Sequence, residues 1–82
     1  QVALVEVAQI RFDAGDYASA SQFYATYRAV ARQQTARALL LGTRLARVEG
    51  DRDSEASYAL ALSSRFPNSA EYEAYKRTVK SD

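Results

Sequence analysis

Val7-Ala8-Gln9-Ile10-Arg11-Phe12-Asp13-Ala14-Gly15-Asp16 has an altered second copy, Leu41-Gly42-Thr43-Arg44-Leu45-Ala46-Arg47-Val48-Glu49-Gly50-Asp51. Each stretch opens on an apolar–small pair and closes on Gly-Asp. The offset between copies is 34 residues at the opening pair and 35 at Gly-Asp. Gly ends a helix by taking the left-handed terminal conformation, and Asp caps the helix that follows. Ala20-x-x-x-Tyr24 finds a counterpart in Ala56-x-x-x-Leu60 at an offset of 36. That offset predicts about two extra residues in the second turn, around Gly50 to Asp53. Small side chains at Ala8, Gly42, Ala20 and Ala56 are expected to let paired helices approach closely, with the larger residue four positions on filling the groove.

Working outward, apolar residues at Leu4, Val7, Ala8 and Phe12 predict a first helix over 2–14. A second is expected over about 17–31, buried through Ala20, Phe23, Tyr24 and Tyr27. The polar joint Arg32-Gln33-Gln34-Thr35 turns the chain into a third helix over about 36–49. A fourth runs to Phe66, where Pro67 ends it. Asn68 with Glu71 predicts a capping box opening a fifth helix to about Val79. Its Tyr72, Tyr75 and Val79 form a stripe expected to lie on the fourth helix, and Glu73 is placed to pair with Arg77. A repeat near 34 residues built from helical hairpins is the tetratricopeptide pattern. The expected fold is therefore all-α: a tetratricopeptide-repeat solenoid fragment, two helix-turn-helix hairpins plus a C-terminal capping helix. Its single domain divides into repeats at 1–34 and 35–67 and a cap at 68–80. The face around Val2, Ala3 and Val5 is the expected seam for an earlier repeat, because such repeats cannot bury a face alone.

Composition narrows the function classes. A net charge of +1 gives no overall attraction to nucleic acid. The run Ala38-Leu39-Leu40-Leu41-Gly42 is far shorter than the roughly 20 residues that span a bilayer. The start at Gln1 suggests a piece of a longer protein. With no His and no Cys, the usual general base and thiolate ligands are missing. Glu49, Asp51, Asp53 and Glu55 superficially suggest a calcium loop, but the twelfth position counted from Asp51 is Leu62 rather than Glu. Helix capping is the better reading. No nucleophile elbow or phosphate loop is present. Arg28, Arg32, Arg37, Arg44 and Arg47 with Tyr24 and Tyr27 raise nucleic acid, but the balanced whole-chain charge favours solvated or paired arginines. The expectation is a protein-binding scaffold, not an enzyme, with no cofactor and no metal.

In a tetratricopeptide array the first helix of each repeat lines the concave face. The corresponding groove positions are Val2, Val5, Gln9, Phe12 and Asp13 in the first unit, and Ala36, Leu39, Thr43, Ala46 and Arg47 in the second. This mixed surface suits an extended or helical peptide. Val5 and Thr43 stand where a carboxylate-clamping repeat would carry polar clamp residues.

Four stretches carry a closer resemblance: Val2-Ala3-Leu4, Ala36-Arg37-Ala38-Leu39-Leu40-Leu41-Gly42-Thr43-Arg44-Leu45-Ala46, Asp51-Arg52-Asp53-Ser54-Glu55-Ala56-Ser57-Tyr58, and Phe66-Pro67-Asn68-Ser69-Ala70-Glu71-Tyr72. They resemble the C-terminal portion of the PilF/PilW family of type IV pilus biogenesis and stability lipoproteins. The resemblance implies a pilotin: a lipid-anchored tetratricopeptide protein on the periplasmic face of the outer membrane, which helps the secretin PilQ localise and assemble. The lipidated cysteine and early repeats of that family are absent from these residues. The alternative is a generic tetratricopeptide adaptor or co-chaperone holding a peptide in its groove.

Overall fold

The structure, a computed structural model, describes residues 2–81, with the side chains of residues 3–79. The described residues form five helices and no strand: α1 (Val2–Asp13), α2 (Tyr17–Val30), α3 (Ala36–Glu49), α4 (Arg52–Arg65) and α5 (Ala70–Ser81). The chain divides into two compact units, Gln1–Gln34 and Thr35–Asp82. In the first, α1 packs against α2; in the second, α3 packs against α4, and α5 rests on both. The expected packing of α5 on α4 is present, and packing on α3 joins it.

Both hairpin turns are made the same way. Gly15 has φ +82° and Gly50 φ +74°, the left-handed region that an L side chain adopts only with strain. The Asp16 amide donates to the Arg11 carbonyl at 2.9 Å and the Gly15 amide to Phe12 at 3.0 Å. The Asp51 amide donates to Ala46 at 2.9 Å and the Gly50 amide to Arg47 at 3.2 Å. These paired bonds are the Schellman arrangement, which satisfies carbonyls that the helix end would otherwise leave bare. Each Asp then opens the next helix: Asp16 accepts from the Ser19 amide at 3.2 Å, and Asp51 from the Ser54 amide at 3.1 Å. One residue thus ends one helix and starts another.

This identity of the turns corrects the expected register. Gly15-Asp16-Tyr17 and Gly50-Asp51-Arg52 align at an offset of 35 with nothing inserted between them. The extra residue lies inside the helix before the turn, where Ala8 precedes Gly15 by seven positions and Gly42 precedes Gly50 by eight. Past the turn, Tyr27 therefore matches Leu62, and both are buried. Ala56 and Leu60 are not the packing counterparts of Ala20 and Tyr24. Ala56 is exposed and Leu60 is 67% exposed, because one residue of register turns a helix by about 100°.

The first unit buries Val5 and Ala8 from α1 against Ala20, Tyr24 and Tyr27 from α2. The two tyrosine rings stack with centroids 6.1 Å apart, and the Tyr24 hydroxyl donates to the Gln34 side-chain oxygen. Val5, expected on an open seam, is buried, while Ala3 is exposed; the Val2 side chain of that seam lies outside the described residues. In the second unit α3 is buried around most of its circumference, at Ala38, Leu39, Leu40, Leu41, Gly42, Thr43, Leu45 and Ala46. Thr43 is accommodated there because its hydroxyl donates to the Leu40 carbonyl at 2.6 Å.

Helix ends differ in detail from the expectation. Thr35 caps α3, accepting from the Ala38 amide at 3.1 Å. Helix α4 stops at Arg65, one residue early, because the residue before Pro67 is driven out of helical torsions. Ser69, not Asn68, caps α5: its hydroxyl oxygen accepts from the Tyr72 amide at 3.0 Å and donates to the Phe66 carbonyl at 2.8 Å. Glu73 forms an ion pair with Lys76 at 2.9 Å, one that the sequence did not single out; Val79, expected in the packed stripe, is 46% exposed.

Candidate functional site

The candidate binding residues lie on α1 and α3, the first helix of each hairpin, and their accessibility separates them. Val5, Leu39, Thr43 and Ala46 are buried in the chain, and no partner can reach those side chains as the chain stands. Gln9, Phe12, Ala36 and Arg47 are half-buried, and Asp13 is exposed. Val2 belongs to α1 by its backbone, and its side chain lies outside the described residues.

On α1 the accessible set is ordered by its own contacts. The Gln9 amide donates to the Asp13 carboxylate at 2.9 Å, one helical turn apart. Phe12 meets Tyr17 edge-on across the turn, with ring centroids 5.1 Å apart and planes at 65°. The result is an acid, an amide and a half-covered aromatic edge on one hairpin. The aromatic partner Tyr17 was not singled out from the sequence; its place directly after the Gly15-Asp16 turn, facing Phe12, was the available signal.

On the second hairpin Arg47 reaches the Glu55 carboxylate at 3.6 Å, from the last turn of α3 to the first turn of α4. Arg47, Gly50, Arg52 and Glu55 line an open, polar depression of about 370 Å³. Tyr75 of α5 is electrostatically coupled to this pair. Burial pushes its phenol above the ordinary value near 10.0, the Glu55 carboxylate pushes it further, and the Arg47 guanidinium partly opposes them. Asp51 titrates below its ordinary range because it accepts from the Ser54 hydroxyl at 2.7 Å and from the Ser54 amide. Lys76 is held above its ordinary value chiefly by its hydrogen bond to Glu73, and its ammonium lies 4.9 Å from the centre of the Tyr72 ring.

Two members of the acidic cluster therefore have structural partners: Asp51 caps α4, and Glu55 faces Arg47. Among the described residues no group of three or more acidic side chains is arranged to hold a metal ion. No helix among them is long and apolar enough to cross a membrane. What the accessible faces offer is hydrogen bonding, charge and aromatic edges, the chemistry of protein recognition.

No protein-family model matches the chain. Over 72 residues, 88% of its length, it is 42% identical to the type IV pilus assembly protein PilF of Pseudomonas aeruginosa. It spans 28% of that protein. A solved structure from the functional characterisation of Pseudomonas aeruginosa PilF superposes with a TM-score of 0.87 at 39% identity, covering 92% of this chain and 33% of the other. By sequence and by backbone together, the chain is a PilF-like tetratricopeptide-repeat segment.

Proposed function

We propose that this chain is part of a non-catalytic scaffold for type IV pilus biogenesis, a pilotin whose full-length form helps the secretin PilQ reach and assemble in the outer membrane. The observation that carries this reading is the joint agreement in sequence and backbone with a protein named for pilus assembly. The fold adds physical support, since paired helices in register present long side-chain faces suited to another polypeptide. The accessible residues Gln9, Phe12 and Asp13 on α1, and Ala36 and Arg47 on α3, are the partner-facing positions in this reading. Val5, Leu39, Thr43 and Ala46 act beneath them as packing. The full-length protein is expected to be lipid-anchored on the periplasmic face of the outer membrane.

The test is capture of PilQ by the full-length protein from solubilised bacterial envelopes. The secretin should be retained by the parent and reduced several-fold by Asp13→Lys or Arg47→Glu. Arg65→Glu, on the exposed end of α4, should leave retention unchanged. Failure of the parent to retain the secretin removes the pilotin reading. Equal retention by all three variants removes the assignment of these faces.

A further inference from the structure

Helix α5 is attached to its unit differently from the helices beneath it. Eight residues of α3 are buried, whereas no described side chain of α5 is. Tyr72, Ala74, Tyr75 and Thr78 reach only half-burial although α5 contacts both α3 and α4. Several bonds that shape α5 also lie within its own segment. Ser69 caps the Tyr72 amide, Glu73 pairs with Lys76, the Lys76 ammonium lies by the Tyr72 ring, and the Thr78 hydroxyl donates to the Ala74 carbonyl at 3.0 Å. Those bonds travel with the helix if it moves.

The hairpin below has its own closure. The Gly50 turn, the Asp51 cap and the Arg47–Glu55 pair join α3 directly to α4. Between the two lies a short connection, in which Phe66 has left helical torsions at φ −133° and ψ 54° and Pro67 follows. A segment opens separately from its neighbours when it buries little apolar area and its rupture leaves the rest self-supporting. Helix α5 meets both conditions.

We propose that α5 is a strap: it lifts from the α3–α4 hairpin as one unit while that hairpin stays folded, and its opening admits solvent to the α3 and α4 surfaces it covers. Tyr75 is its mooring point, a half-buried aromatic side chain on a helix that touches both α3 and α4. This device does not depend on the identity of the partner protein.

Native-state hydrogen exchange of the 82-residue chain, read by mass spectrometry, tests it. Amides of α5 should exchange at least tenfold faster than those of α3 and α4, with the gap persisting in denaturant below the unfolding transition. Tyr75→Ala should accelerate α5 at least a further tenfold and leave α3 and α4 unchanged. A single shared protection level for the three helices overturns the proposal. So does a Tyr75→Ala variant that leaves α5 unchanged, or one that loosens all three helices equally.

Discussion

The two hairpins share a turn but distribute their burial in opposite ways. In the first, the second helix carries most of it, with Ala20, Tyr24 and Tyr27 of α2 closing over Val5 and Ala8 of α1. In the second, α3 supplies eight buried residues, while α4 supplies Leu62 among the described residues. The same Schellman bonds and the same Asp cap join both pairs. The turn therefore fixes how the helices meet, and the apolar material can move from one helix to the other without altering that geometry. In this chain the two repeats are alike in their joints and differ in their filling.

The largest expected effect decides the register of the second hairpin. Leu62→Ala removes a fully buried side chain and should cost about 2–5 kcal/mol in urea unfolding. Leu60→Ala, two positions away and 67% exposed, should stay within about 0.5 kcal/mol. Reversal of that order would restore the 36-residue alignment.

Next come the joints. Gly15→Ala and Gly50→Ala should each cost about 1–2 kcal/mol, because the left-handed torsion penalises the Cβ of an L residue. Equal losses in thermal unfolding mean equivalent turns; a difference of several-fold would break the comparison.

A smaller effect concerns the caps. The folded chain holds the Asp51 proton more weakly than the unfolded chain does, so this carboxylate stabilises above its ordinary value of 3.8. That contribution is lost as pH falls through the lower folded value. Asp51→Ala should flatten this acid-side decline in a melting-temperature profile.

The smallest effect involves Tyr75, whose phenol is half-buried and feels the charges of Glu55 and Arg47. Its phenol is raised, so its contribution is complete below pH about 10 and fades as pH climbs through the folded value. Tyr75→Phe should remove that alkaline decline from the α5 exchange rates while Lys76, which titrates in the same direction, is left in place.

Much of the architecture was legible because helix ends are written in local chemistry. Gly15-Asp16, Gly50-Asp51 and Pro67 stop or start helices through torsions and hydrogen bonds within a few residues. Sequence matching erred where a longer-range quantity decided. Ala56-x-x-x-Leu60 resembles Ala20-x-x-x-Tyr24 letter by letter, yet the face a helix buries is counted from its turn. Ser69 displaced Asn68 as a cap because the last residue before the helix is the one whose oxygen reaches the free amides. The candidate surface was legible only as a choice of helices. Gln9 and Asp13 remain accessible, whereas Val5, Leu39, Thr43 and Ala46 share those helices but are buried, a distinction that depends on neighbours distant in sequence.

The glycine turns also separate two kinds of freedom. A methyl group built on Gly15 or Gly50 in the L configuration meets nothing within 4 Å, so the sites are roomy even though their torsions forbid it. Handedness, rather than space, is the barrier. A mirror-image residue has the opposite preference, and D-alanine introduced by chemical synthesis at position 50 would fit the existing backbone. It would restrict the unfolded chain without straining the folded one, raising stability by roughly 0.4–1 kcal/mol at the site where ordinary alanine lowers it.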